Sequence, residues 1–176
     1  MFAKRIFTCA GVQAMMLAIV VALSLQACGG PTKTVPATDQ TAIDQFTDAA
    51  RRWTIEGSDP WYTAFKSGDP AKLSAAAPVA ERAMASSVAS MAAAAGKLGT
   101  VPVRTRLLGL VATYRAKLAA IREIDSASND GSPTRLQAGI ADLKAAGTAA
   151  VVAFRGFARS AKQSWGSDPL SDFKIG

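Results

Sequence analysis

Histidine is missing from all 176 residues. That removes the commonest general base and the commonest metal ligand together. The two cysteines, Cys9 and Cys28, both lie near the N-terminus. No Ser-His-Asp or Cys-His nucleophile can be assembled, and the usual donors of a zinc site are absent. Carboxylates remain. Glu56 with Asp59, and Glu123 with Asp125, are close pairs. Two acids suffice for a glycosidase, but only when they face each other across a cleft; both pairs read more simply as solvated helix ends. From Asp125 to Gly131 the chain faintly follows a calcium loop. Ala127 stands where a ligand is needed, Asp130 where the sharp turn needs glycine, and Leu136 where a bidentate glutamate belongs. Gly96 and Gly99 lack the Lys-Ser or Lys-Thr that completes a phosphate cradle. The inventory therefore implies neither a metal nor another cofactor.

Ser171 and Lys174 have the Ser-x-x-Lys spacing of serine acyltransferases that act on cell-wall precursors. The other motifs of that group are missing, and the pair sits in the tail rather than at a helix start. Basic residues form a clearer pattern. At about 100° per residue, Arg104, Arg115 and Arg122 fall within roughly 20° of one line, about 75° from their helix's apolar stripe. Lys144, Arg155, Arg159 and Lys162 make a similar band about 85° from the stripe of the last helix. Neither band contains an acid. Such flanking positions let aliphatic stems cover core while the charged ends reach water. The other reading is a surface that meets lipid headgroups, an anionic wall polymer or an acidic partner protein, in keeping with a net charge of +7.

The elements that carry these residues read as helices. Ile43, Phe46, Ala50 and Trp53 share one face, with Thr38 or Asp39 as N-cap and Gly57 as the stop. Asp59-Pro60 restarts a short helix bearing Trp61, Tyr62 and Phe65, and Asp69-Pro70 repeats the signature for the next. Pro78 is expected to break or kink that helix. Met84, Val88, Met91, Ala95 and Leu98 follow as a heptad-like seam. After Pro102, Leu107, Val111, Tyr114, Leu118 and Ile121 mark a core-facing helix, ending in a turn at Ser126 to Gly131. From Ser132-Pro133 a last long helix carries Leu136, Ile140, Leu143, Gly147, Val151, Phe154, Ala158, Ala161 and Trp165 as its stripe, and Gly166 stops it. No segment alternates with period 2, so no sheet is expected. The fold expected is all-α, an antiparallel helical bundle of three to four long helices plus one or two short N-terminal helices. Phe173 and Ile175 in the tail are expected to pack back onto it.

Ahead of the bundle, Lys4 and Arg5 precede an apolar run from about Ala10 to Leu25, then Leu25-Gln26-Ala27-Cys28. This charged, apolar, small order is that of a secretory signal. The four residues resemble the lipobox of a bacterial lipoprotein, with Gln26 a looser fit at the variable position. The apolar run, interrupted by Gln13, falls short of the roughly 20 residues of a membrane span. The resemblance implies cleavage before Cys28, a diacylglyceryl group on its sulfur and a domain held on the outer face of the cell membrane by two or three acyl chains. The heavy use of alanine and arginine over lysine resembles proteins of high-GC bacteria such as actinobacteria. The organisation expected is a signal peptide over 1–27, a tether over 28–38, a bundle over 39–166 and a tail over 167–176. Nucleic acid is not an expected partner, given that compartment and the absence of aromatics interleaved with the basic residues. The leading expectation is a non-catalytic binding or interaction module of the envelope. The alternative is a carrier whose apolar pocket between helices is lined by Met84, Met91 and Tyr114, methionine being an adaptable liner. A wall hydrolase working with acids alone is the third class.

Overall fold

The computed structural model describes residues 33–171; Cys28, Lys174, Phe173 and Ile175 lie outside them. Every regular element within that span is helical: α1 (Ala37–Arg52), a π-helical turn (Trp53–Ser58), α2 (Asp59–Lys66), α3 (Pro70–Gly96), α4 (Val101–Asn129) and α5 (Pro133–Trp165). The protein is an all-α bundle of one joined N-terminal helix and three long ones. The joined helix packs on α3, α3 on α4, and α4 on α5. Cross-contacts fix the antiparallel order. Gln45 meets Lys97 at 2.9 Å, Glu81 meets Arg122 at 3.1 Å, and Trp165 meets Thr100 at 3.1 Å.

The core is continuous from Ile43 and Phe46 through Met84, Met91, Leu107 and Ile124 to Phe157 and Trp165, all nearly inaccessible to water. The alanine-rich seam on α3 is buried as its spacing requires, at Met84, Val88, Met91 and Ala95; Leu98, expected on the same seam, is buried too but lies in the turn beyond the end of α3 at Gly96. Asp69 caps α3, accepting from the Ala71 and Lys72 amides at 2.9 and 3.4 Å, with Pro70 in the first turn. Gly166 closes α5 at φ +75°, a conformation that suits glycine.

Several sequence expectations give way to tertiary contacts. Gly57 does not end the first helix. The chain passes through it in helical conformation, and the residue is buried against α3, where a Cβ would stand 2.3 Å from Met84 Cγ. It is glycine because a side chain would hold two helices apart. Asp59 caps nothing, since Ser58 and Asp59 are themselves helical. Neither Thr38 nor Asp39 caps α1, which starts at Ala37; Asp39 is buried and reaches another helix end. Pro78 does not break α3, which runs 27 residues through it. Pro78 is exposed while Leu73, Ala77, Ala80 and Met84 hold the helix to its neighbours on both sides of it. The lost backbone donor is thus outweighed by burial. The turn expected from Ser126 shrinks to Asp130–Ser132, because Ala127 is buried and α4 continues to Asn129.

The largest correction concerns α5. Its buried residues are Gly139, Ala146, Ala150, Phe157, Ser160, Ala161 and Trp165. Ile140 and Val151, assigned to the stripe, are exposed, while Leu143 and Phe154 are only half-buried. The true packing face is rotated by roughly 70° from the most apolar one. Small residues explain it. A Cβ on Gly139 would stand 2.9 Å from Ile124 Cγ1, so α4 and α5 meet where side chains are smallest.

Candidate functional site

Two concave sites flank α5. The first is a groove of about 750 Å³ between the start of α4 and the end of α5, lined by Pro102, Thr105, Arg106, Val152, Arg155, Arg159 and Gln163 among others. Thr105 and Arg106 follow the Pro-initiated first turn of α4; Arg155 and Arg159 stand one turn apart on α5. The Arg106 stem passes beside Gly156, where a Cβ would make an ordinary contact with Arg106 Cδ at 3.8 Å. The lining contains no carboxylate, and among the described residues none of the three guanidinium groups forms an ion pair.

The bands expected from single helices are rearranged. Arg155 and Arg159 do meet in the groove. Arg122 does not present a free charge. Its Nε donates to Glu81 of α3 at 3.1 Å, an acid that inspection of α4 alone cannot reveal. Arg104 donates to the Leu98 carbonyl at 3.4 Å across the α3–α4 turn. Arg115, Lys144 and Lys162 are exposed but outside the groove lining. Arg106, which lies off its own helix's basic line, was missed; only the pairing of α4 with α5 brings it to Arg155 and Arg159.

The second site is a cleft of about 440 Å³ between the joined N-terminal helix and α5. Trp53, Trp61 and Tyr62 form one wall, Leu143 and Gly147 the other, and Lys117 and Ile121 of α4 the floor. α1 and α5 share no close backbone approach, which leaves this side of the bundle open. Trp53 is held edge-on to Tyr114 at 5.1 Å, and Trp61 stacks on Phe65 at 5.1 Å. Lys117 sits 5.4 Å over the Tyr114 ring, and burial lowers its pKa. Burial pushes the Tyr114 hydroxyl up to about 12. Met84 and Met91 do not line this cleft. Both are fully buried in packed core, and Met84 abuts Gly57. Tyr114 lies behind Trp53 and Lys117 rather than at the surface of the cleft.

The carboxylate pair on α4 separates. Glu123 binds Arg135, Nε to Oε1 at 2.8 Å, which holds its carboxyl below the usual range. Asp125, two residues on and turned the other way, is buried. Both of its oxygens accept from Trp61 Nε1, at 2.8 and 3.0 Å. Desolvation pushes its carboxyl up to about 7, against the opposing effect of the Trp61 bond and with help from neighbouring Glu81. Glu123 is thus solvated as expected, although α4 runs on past it to Asn129, whereas Asp125 is buried. The unfolded chain ionises Asp125 near 4. The contribution of the folded environment is therefore complete below about pH 4 and lost as the pH rises through about 7. Glu123 works in the opposite sense, losing stability as the pH falls. Urea midpoints from pH 4.5 to 7.5 should thus decline more steeply in the parent than in Asp125→Asn. Parallel profiles would show that Asp125 is ionised throughout.

Among the described residues, no group of three or more acids, cysteines or histidines could hold a metal, and no helix is long and apolar enough to cross a membrane. The chain matches no family model, no curated protein and no solved structure.

Proposed function

We propose that this protein is a lipid-anchored, non-catalytic binding module of the cell envelope, carried on Cys28, and that its partner is anionic. The observation that carries this reading is the groove where Arg106, Arg155 and Arg159 converge with no acid in the lining. Three guanidinium groups without carboxylates suit phosphate or carboxylate groups, whose oxygens accept paired N–H bonds. The lipobox-like Leu25-Gln26-Ala27-Cys28 supplies the address.

The cleft supports a second reading, a carrier of a small apolar or amphiphilic molecule. Trp53, Trp61, Ile121 and Leu143 offer apolar walls with a few polar groups, the Lys117 amine, the Asp59 carboxylate and the Ser58 hydroxyl, a composition common to small-molecule sites of about 300–1,000 Å³. One experiment separates the two. The full protein and two variants, Arg155→Glu/Arg159→Glu and Gly147→Phe, are isolated from detergent-treated envelope, and the bound proteins, polymers and lipids are read by mass spectrometry. Gly147 has open space beside its Cα, so phenylalanine can enter the cleft without displacing backbone. The charge reversal should cut capture of an anionic partner at least about tenfold, since facing like charges cost several kcal/mol. Undiminished capture would sink the groove reading. Loss of a co-purifying apolar molecule in Gly147→Phe alone would establish the carrier.

A further inference from the structure

The position of the groove relative to the point where the chain leaves the bundle decides what it meets. Lys33 lies against the last turns of α5. Its Nζ donates to the Gln163 carbonyl at 3.1 Å, and a Cβ on Gly166 would come within 3.4 Å of the Lys33 carbonyl oxygen. Gln163 also lines the groove beside Arg106, Arg155 and Arg159. Cys28 stands five residues before Lys33, a stretch that spans at most about 17 Å. An anchored Cys28 therefore keeps the groove end of the bundle close to the lipid, whatever path the intervening chain takes. Charge agrees with this placement. Lys33, Arg104, Arg106, Arg155, Arg159 and Lys162 gather at this end. Of the acids there, Asp39 is buried, half-buried Asp168 accepts from the Leu170 amide at 3.1 Å, and exposed Asp44 accepts from Gln40 at 2.9 Å, which leaves the cations in excess. The groove also carries an exposed apolar side chain, Val152 (65% accessible), and Val101 (55%) adjoins Pro102 of its lining. Basic groups beside exposed apolar ones are what an anionic lipid surface binds.

We infer, resting on the lipid-anchor reading above, that the Arg106–Arg155–Arg159 groove docks onto the anchor's own membrane and seats the phosphate-bearing headgroups of anionic phospholipids. The anchor brings the groove to the surface, and the arginines fix which face of the bundle lies against it. A soluble polyanion could satisfy the charge. It would not account for the short distance to Cys28 or for the exposed valines.

The test uses the processed protein purified from membranes and reconstituted into vesicles of phosphatidylcholine, alone or mixed with phosphatidylglycerol. Arginine modification by phenylglyoxal is followed residue by residue by mass spectrometry. Arg106, Arg155 and Arg159 should react about fivefold more slowly in the mixed vesicles, the equivalent of about 1 kcal/mol per arginine at an anionic surface. Exposed Arg51 and Arg82 should be unchanged, and high salt should erase the difference. Equal rates in both vesicles would overturn the inference. So would protection by soluble polyphosphate added to phosphatidylcholine vesicles with none from phosphatidylglycerol, which would pass the groove to a polymer. The same digest reports the mass of the Cys28 peptide. An unmodified Cys28 removes the anchor reading on which the inference rests, whereas a lipidated Cys28 with unprotected arginines removes the inference alone.

Discussion

Replacing Gly57 with alanine should destabilise the protein by about 2 kcal/mol, although alanine is the better helix former. The two effects oppose each other. In open helical surroundings the exchange gains about 1 kcal/mol. At Gly57 the new methyl would stand 2.3 Å from Met84 Cγ and 3.4 Å from the Ala80 carbonyl oxygen and the Met84 amide. Met84 is completely buried and has no room to withdraw. Overpacking of this kind costs up to about 3 kcal/mol and outweighs the propensity gain. The internal control is Gly147→Ala, where a Cβ meets nothing within 4 Å; that exchange should raise stability by about 0.5–1 kcal/mol. Urea unfolding of both variants gives the comparison. Two stabilising exchanges would mean that the π-helical turn does not approach α3 as described.

Asp39→Ala should cost about 3 kcal/mol. The Asp39 carboxylate, 1% exposed, belongs to the first turn of α1 but serves the start of α4. It accepts from the Gly99 amide at 2.7 Å, the Thr100 amide at 3.2 Å and the Thr100 hydroxyl at 2.5 Å. The hydroxyl in turn accepts from Trp165 Nε1 at 3.1 Å. One carboxylate thus ties α1, the α3–α4 turn and the end of α5 together. Bonds to a charged acceptor are worth about 1.5–3 kcal/mol and are not additive when they share it. A carboxamide in its place would turn an NH2 group towards these donors, so Asp39→Asn should lose most of the same stability. Thr100→Val, which spares both backbone bonds, should lose about 1 kcal/mol. The double variant Asp39→Ala/Thr100→Val should lose less than the sum of its singles. If Asp39→Asn melted with the parent protein, the carboxylate would not be the joint described.

Asp39 also shows where reading by segment stops. An acid near a helix start is a good cap for that helix, and the rule has no means of seeing that another helix begins about 60 residues on with unpaired amides. Arg122 shows the same limit, since its counter-charge, Glu81, belongs to α3. Arg106 is the converse, an unremarkable residue until α5 is laid beside α4.

Residue types and apolar periods of about 3.6 were enough to specify the long helices, the seam on α3, the apolar face of α4 and the stop at Gly166. These signals act within one segment, so they are legible without knowing its neighbours. The buried face of α5, the joining of two helices through Gly57 and the continuity of α3 through Pro78 emerged only when the helices were packed together. In each case the deciding term was close approach between helices. It favours the smallest residues, Gly57, Gly139, Ala146 and Ala150, over the most apolar ones. The same term left Leu143 and Gly147 lining a cleft and turned Arg155 and Arg159 towards Arg106. Both sites are by-products of how α5 seats on α4, a relation between segments that no single segment encodes.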